Sequence, residues 1–282
     1  VSESRHVVLI TGCSTGIGRV AAQTFLNDGW TVIATARRIE ALSELGEAGC
    51  HIYALDVTDE SSMSSTLDAV QTAFGSVDVL VNNAGYGAYG PVEQLSSQLI
   101  VRQFETNVFG LIRLSQHVLP MMRRQGYGRI INVSSIAGRL SLPMGGAYHA
   151  SKHAVEAFSD ALRYEIKPYG VAVSLVEPGP VKTSWATTAA SSIVIHDETE
   201  DDPYAELKSS TTRALVGMTQ GFNAHFSSTP QSIARVILRA ANSSRPRSRY
   251  RVGLLTNVVL ALRWLLPDRI FDLVISRTFA SM

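Results

Sequence analysis

Two cysteines in 282 residues, Cys13 and Cys50, leave no disulfide framework to build on and suit a reducing compartment. A formal net charge of +1 gives no reason to expect nucleic acid as a partner. No stretch of about eighteen apolar residues runs free of charge, so no transmembrane helix is expected. Only Val1 to Arg5 precede the first apolar run, too little for a signal peptide, and the expectation is a cytoplasmic protein. The histidines (His6, His51, His117, His149, His153, His196 and His225) form no HExxH pattern and no Cys/His ligand cluster, so no metal site is expected. Internal repeats and low-complexity linkers are also missing. What is there, 45% hydrophobic and 17% charged residues, suffices for one large core, and a single domain over residues 1–282 is expected.

The apolar run His6 to Thr11 reads as a buried strand. Gly12-Cys13-Ser14-Thr15-Gly16-Ile17-Gly18 leads from it into the helical composition of Arg19 to Asp28. Strand, glycine turn and helix make a cradle for a pyrophosphate, which needs bare backbone N–H groups at a helix N-terminus. The spacing G-x-x-x-G-x-G differs from the general G-x-G-x-x-G fingerprint, and a glycine-rich tight turn is the plainer reading of it alone. The second strand, Trp30 to Thr35, runs into Ala36-Arg37-Arg38. An acid at that strand end would bond the ribose hydroxyls of NAD; none is present, and the fork of Arg37 suits a ribose 2′-phosphate. NADP(H) is therefore expected over NAD(H), with a solvated basic turn as the alternative. His51 to Leu55 is a third strand, with Asp56 at its end able to accept from an adenine amino group, and Asp59 caps a helix reaching Phe74. Val77 to Val81, the fourth strand, delivers Asn82-Asn83-Ala84-Gly85 to the same edge, where these residues suit close backbone approach or simply form a polar turn.

Ser96 to Arg124 is helical but interrupted near Asn107, a poor helix former that marks a kink or a purpose. Arg129 to Val133 is a fifth strand, ending in Ser134 and Ser135. Ala147 to Lys167 is helical, closed by Pro168 and Gly170, which sets Tyr148 and Lys152 one turn apart on one face. An adjacent ammonium favours ionisation of a phenol that titrates near ~10 in isolation, so Tyr148 is a candidate acid/base; an ordinary i,i+4 surface pair is the bland alternative. Ala150, Ala154, Ala157 and Ala161 form a small-residue stripe nearly opposite, fit to lie on the sheet or on a partner helix, and a homodimer or homotetramer is expected. Val171 to Val176 is the sixth strand. Strands alternating with helices throughout predict an α/β, Rossmann-type doubly wound parallel sheet of about seven strands, with helices on both faces.

The motifs TGCSTGIG, NNAG, Ser135, YHASK and PGPVKT stand in order from Leu9 to Thr183, and with them the chain resembles a short-chain dehydrogenase/reductase of the NADP(H)-preferring type. ATARR and a basic, apolar tail make it similar, within that family, to the branch of 17β-hydroxysteroid dehydrogenases, retinol dehydrogenases and acyl-dihydroxyacetone-phosphate reductases. The resemblance implies a catalytic tetrad of Asn107, Ser135, Tyr148 and Lys152, with Ser135 rather than Ser134 because it stands thirteen residues before the tyrosine. It also implies a cofactor site of Gly12, Ser14, Thr15, Gly16, Ile17, Gly18, Arg37, Asp56, Val57, Asn83, Ala84, Gly85, Tyr148, Lys152, Pro178, Gly179, Val181 and Thr183. The implied reaction is hydride transfer between the nicotinamide and a carbonyl or secondary alcohol. Tyr148 would exchange the proton, Ser135 hold the oxygen, Lys152 bond the ribose and lower the tyrosine pKa, and Asn107 place a water.

Residues 184–228 lose periodicity, and the charged run His196 to Pro203 within them reads as a solvated loop of a substrate lid. Trp185, Leu215, Met218 and Phe222 either line a hydrophobic pocket or pack the lid on the body. Pro91 to Leu95, Leu140, Leu142, Pro143 and Met144 are further wall candidates. The expected substrate contacts are Ser135, Leu142, Met144, Tyr148, Trp185, Met218 and Phe222. A steroid-, retinoid- or lipid-like substrate is expected; a reductase of small ketones or fatty acyl intermediates is the alternative. A non-catalytic NADP(H)-binding sensor or scaffold is a third reading, which the presence of all four tetrad residues sets back. Thr229 opens a helix to Ala241, and Arg245, Arg247, Arg249 and Arg251 then alternate along an extended run, on one side of a strand. From Arg245 onward seven arginines face two aspartates, a local charge of +5. The apolar tail over residues 254–282 reads as a peripheral membrane contact or as a cover over the cleft or a neighbouring subunit.

Overall fold

Val7–Ile10 (β1) offers only valine, leucine and isoleucine, with no side chain to turn toward water, and it is buried on both faces as a central parallel strand must be. β2 (Thr31–Ala36), β4 (Val79–Asn82), β5 (Gly128–Val133) and β6 (Val171–Pro178) are similarly buried, whereas β3 (His51–Ala54) and β7 (Arg249–Val252) expose side chains as edges do. In this computed structural model, which describes residues 6–193, 202–217 and 227–280, the strands form one parallel sheet in the order β3-β2-β1-β4-β5-β6-β7. The chain therefore winds outward in one direction to β3 and restarts at β4. A crevice opens beyond the carboxyl ends of β1 and β4, where the direction reverses.

The connecting helices are α1 (Gly16–Asn27), the short α2 (Ser43–Glu47), α3 (Glu60–Phe74), α4 (Ser97–Phe104), α5 (Gly110–Gln125) and α6 (Gly146–Ile166). After β6 come α7 (Trp185–Ser191), α8 (Ala205–Gly217) and α9 (Pro230–Asn242), and after β7 come α10 (Leu254–Leu265) and α11 (Asp268–Ala280). α1 and α9 cover one face of the sheet, burying Phe25, Ile233 and Ile237 against Val8, Ile10 and Val32. α3 and α5 cover the other, through Met63, Leu67, Leu114 and Val118 against Leu9, Leu80 and Ile130. The expected caps are in place: Asp59 accepts from the Ser61 amide at 2.9 Å, and Thr229 from the Ser232 amide at 3.2 Å.

Three expectations meet a specific outcome. The interruption near Asn107 is a π-helical turn, Glu105–Phe109, joining α4 to α5. The alanine stripe of α6 does not lie on the sheet: Ala150, Ala157 and Ala161 are exposed, while Tyr148, Ser151, Lys152, Val155 and Ser159 make the buried face. The four arginines do not share one strand, because β7 takes in only Arg249 and Arg251, and both turn onto carboxylates. Arg249 pairs with Glu156 at 3.0 Å, Asp160 at 2.7 Å and Glu177 at 3.0 Å, and Arg251 with Glu177 at 3.2 Å. Glu156 and Glu177 are buried and need cations, so half of the supposed basic row neutralises the interior.

Candidate active site

The crevice is built from backbone first. Gly12 and Gly16 take φ of 71° and 59°, the left-handed region that favours glycine. At Gly18 the constraint is space: a Cβ there would lie 2.4 Å from the Gly12 carbonyl oxygen and 2.5 Å from Asn83 Nδ2, so only glycine lets α1 start this close to the turn. Asn83 stitches the two sides of the crevice together. Its Nδ2 donates to the Thr11 and Gly12 carbonyls at 2.9 and 3.2 Å, and its amide donates to Thr11 Oγ1 at 3.0 Å. Asp56 at the end of β3 accepts from the Thr58 amide and hydroxyl through Oδ1, at 2.9 and 2.8 Å. Arg37, at the end of β2, lines the same cavity beside Ala36.

That cavity, of about 1130 Å³, runs from the glycine turn past Tyr148 to an apolar end walled by Leu140, Leu142, Trp185, Leu215, Val259 and Phe271. Every expected cofactor residue lines it except Gly18, which lies beneath the turn. Ser135, Tyr148 and Lys152 share one stretch of its wall. Asn107 stands just behind them, 1% exposed. Its Oδ1 accepts from the Tyr86 amide at 3.0 Å, and its Nδ2 donates to the Tyr86 carbonyl at 2.8 Å and to Ser151 Oγ at 3.1 Å. The widened π turn is what carries this side chain toward the segment after β4, where a Cβ on Gly85 would lie 3.1 Å from Asn107 Oδ1 and 3.8 Å from Lys152 Nζ.

The electrostatics depart from the expected lowering of the phenol. Burial pushes Tyr148 up to about 12, and its hydrogen bond with Ser135 offsets only part of this. Lys152 directs Nζ to the Val133 carbonyl at 2.9 Å. Burial brings Lys152 itself down to about 8, with the Glu156 carboxylate one turn further along pulling the other way. Burial thus favours the neutral form of both groups, the protonated phenol and the uncharged amine.

At the apolar end, Trp185 packs against Tyr148 with ring centroids 5.1 Å apart, and Tyr89 lies 5.8 Å from Tyr148 and 6.1 Å from Trp185. Leu142 and Trp185 line the cavity as expected. Met144 does not: it is buried behind the wall in a cluster with Tyr89, Ala137 and Tyr148, and its φ of 66° aims its carbonyl at the Gly90 amide, 2.8 Å away. Met218 and Phe222 lie outside the described residues. Sequence reasoning missed Tyr89, Val259, Phe271 and Ile275 as lining residues. The last three belong to α10 and α11, which pack onto Leu140 and Leu142 through Leu260 and Phe271. The inner sides of α10 and α11 thus cover the apolar end of the cleft. Helical periodicity could have picked out Phe271 and Ile275, four apart on one face, but not which face turns inward.

A glycine cradle and a buried Tyr/Lys pair facing one crevice of a parallel sheet define an oxidoreductase built around a nicotinamide dinucleotide. The chain belongs to the short-chain dehydrogenase/reductase family, whose members act on CH–OH and C=O groups: the short chain dehydrogenase family model matches residues 6–193. A probable short-chain type dehydrogenase/reductase VdlC from Helicobacter pylori is 38% identical over 94% of this chain and 95% of its own length. The 3-ketodihydrosphingosine reductase of Bacteroides thetaiotaomicron is 32% identical, covering 95% of each chain, and bovine retinol dehydrogenase 8 is 33% identical over 95% of this chain and 88% of its own. Among solved structures, a short-chain dehydrogenase from Streptomyces avermitilis superposes with a TM-score of 0.81 at 33% identity, covering 99% of this chain and 98% of its own. Both cofactors occur among such neighbours. A closed serine dehydrogenase complexed with NADP+ has a TM-score of 0.75 at 27% identity, covering 89% of this chain and 95% of its own. A Burkholderia phymatum enzyme in complex with NAD has a TM-score of 0.78 at 27% identity, covering 92% and 93%.

Proposed function

We propose that this protein transfers a hydride between NADP(H) and the carbonyl or secondary alcohol of a hydrophobic substrate, steroid-, retinoid- or lipid-like. The observation that carries this reading is the cavity itself, whose nucleotide half and apolar half meet at Tyr148. Its size and its aromatic and aliphatic walls favour a bulky apolar molecule over a small ketone, and two relatives are named for retinol and for 3-ketodihydrosphingosine. The glycine turn and the N-terminus of α1 supply the N–H groups for a pyrophosphate. Asp56, Val57 and Asn83 would flank the adenosine, and Arg37, with no carboxylate beside it in Ala36-Arg37-Arg38, is suited to a 2′-phosphate. Pro178, Gly179, Val181 and Thr183 would hold the nicotinamide end.

Bound there, the dinucleotide would supply the hydride. Tyr148, kept protonated by burial, donates its proton to the substrate oxygen as negative charge develops on it, and Ser135 holds the same oxygen with a second hydrogen bond. Lys152 would hold the ribose and, while charged, stabilise the phenolate left behind. Asn107 holds Tyr86 and Gly85 in place beside Lys152. The test is turnover of a panel of steroid, retinal, long-chain and short ketones with NADPH or NADH. Bulky ketones should consume NADPH, Tyr148→Phe should abolish turnover while retaining NADPH binding, and Arg37→Ala should erode the preference for NADPH. A Tyr148→Phe enzyme with full activity would sink the assignment.

The open faces of the molecule support two further parts of the reading. The exposed alanine stripe of α6, with Phe158 and Tyr164 beside it, suits a homodimer or homotetramer. α10 and α11 turn Val258, Leu262, Trp264, Leu265, Ile270 and Leu273 outward, with Trp264 84% exposed, which suits peripheral contact with a membrane from the cytoplasmic side. Among the described residues no helix is long and apolar enough to cross one.

A further inference from the structure

We infer that Glu156 is a positioning residue that acts through Lys152: its carboxylate, fastened by Arg249 of β7, holds the lysine in the charged form that the reaction needs. The inference rests on the reading of Lys152 as the lysine of the proposed reaction, and it adds a control of that lysine by charges that do not line the cavity.

Lys152 and Glu156 stand four apart on the buried face of α6, so their side chains are neighbours along the helix. They are 7% and 4% exposed, and water screens charges so enclosed only weakly. Gly138 closes the site from the other side. A Cβ there would lie 2.9 Å from Glu156 Cγ, 2.9 Å from the Lys152 carbonyl oxygen and 3.0 Å from Ser134 Oγ. A carboxylate in such a place must be paired or lose its charge. Arg249 pairs it, with Nε donating to Glu156 Oε2 at 3.0 Å and Nη2 to Asp160 Oδ2 at 2.7 Å. Glu177, wholly buried, is shared by Arg249 and Arg251 at 3.0 and 3.2 Å, and Arg163 takes the other oxygen of Asp160. Three guanidinium groups thus stand against three carboxylates, and the end of this array reaches the lysine.

Burial draws the proton off Lys152, and the Glu156 charge opposes it. Burial pushes Glu156 up as well, with the Glu177 charge adding to this, while Ser134 and Arg249 hold it down. The other groups around Lys152 offer no substitute for the carboxylate. The Val133 carbonyl accepts from Nζ at 2.9 Å, Gly85 and Asn107 adjoin it, and Tyr148 keeps its proton up to about 12. Glu105 of the π turn is engaged by Arg113, and His149 and His153 turn to the carbonyls of Leu140 and His149. With Glu156 neutralised, burial acts on Lys152 unopposed.

Lys152 is one of four lysines in the chain, with Lys167, Lys182 and Lys208. Its carbon-13 signal can therefore be followed in lysine-labelled protein and assigned by its loss in Lys152→Met. Titrated in this way, Lys152 should give about 8 in the wild type. In Glu156→Gln it should fall by about one pH unit, and the alkaline limb of NADPH-dependent ketone reduction should move down with it. Glu156→Asp, which keeps the charge, should restore the wild-type value. A merely structural role moves the signal the other way, because a loosened site admits water and carries Lys152 up toward the ordinary lysine value. An unchanged or raised Lys152 pKa in Glu156→Gln, or an equal fall in Glu156→Asp, overturns the role and leaves the proposed activity standing. A fall confined to Glu156→Gln in a protein that reduces no ketone upholds the charge link and counts against the activity.

Discussion

Asn107→Leu separates a clasp from a bystander. Leucine branches at Cγ as asparagine does and is the larger of the two, so no cavity is created, and the substitution acts through the three hydrogen bonds lost to Tyr86 N–H, Tyr86 C=O and Ser151 Oγ. Ser151 Oγ retains its bond to the Tyr148 carbonyl at 2.7 Å, so its loss is minor. The two Tyr86 backbone groups face a buried leucine instead of an amide. At about 1–3 kcal/mol for each group left unpaired, discounted because Tyr86 is only half-buried, the cost is about 2–4 kcal/mol. For a domain of this size a loss of about 1 kcal/mol lowers the melting temperature by about 2–4 °C, so a fall of about 4–16 °C is expected in thermal unfolding followed by circular dichroism. kcat/KM should fall as well, because the Gly85–Tyr86 segment that adjoins Lys152 is no longer held. A melt within about 2 °C of the wild type would refute the clasp. Asn107→Asp should not rescue the protein, since the oxygen placed against the Tyr86 carbonyl cannot donate and adds a buried charge.

Gly18→Ala places a methyl against the Gly12 carbonyl and the Asn83 amide, neither free to move aside, and overpacking of about 1–3 kcal/mol should weaken NADPH binding by roughly five- to a hundred-fold in a fluorescence titration; unchanged affinity would show the turn tolerates relaxation. The pH profile of reduction should have an alkaline limb near about 8, where Lys152 loses its charge, while Tyr148 at about 12 keeps its proton throughout; a limb near about 10 would contradict this. The same depressed lysine pKa means the unfolded chain binds more protons between about 8 and the ordinary lysine value, so its contribution to stability rises with pH across that window, which denaturant titration at several pH values can follow. Trp264→Glu with Leu265→Glu, both on the outer side of α10, should prevent flotation with anionic vesicles; equal flotation would remove the membrane contact.

What the sequence reveals divides by the range of the interactions involved. The strands, the glycine turn and the Tyr148–Lys152 helix are written in local periodicity and turn chemistry, and the boundaries of the first six strands and of that helix shift by no more than two residues in the structure. The break at Asn107 is also local, because a poor helix former in mid-helix announces itself. The pKa of Tyr148 is not local: one turn of helix places an ammonium near it, but only the fold shows complete burial and a lysine aimed at the Val133 carbonyl. Met144 looked like a wall residue by its neighbours Leu140 and Leu142, yet a left-handed backbone at that one position turns it away. The arginines of β7 were misjudged because their partners, Glu156, Asp160 and Glu177, come from segments some seventy to ninety residues earlier.

α10 and α11 have a consequence for how such an enzyme changes over evolutionary time. The stretch that matches the family, residues 6–193, contains the cradle and the Tyr/Lys pair, while Leu215, Val259, Phe271 and Ile275 of the far wall all lie beyond it. Part of the apolar wall thus comes from a portion of the polypeptide separate from the one that carries Tyr148 and Lys152. Changes in the last helices can therefore reshape that wall and leave Tyr148 and Lys152 untouched.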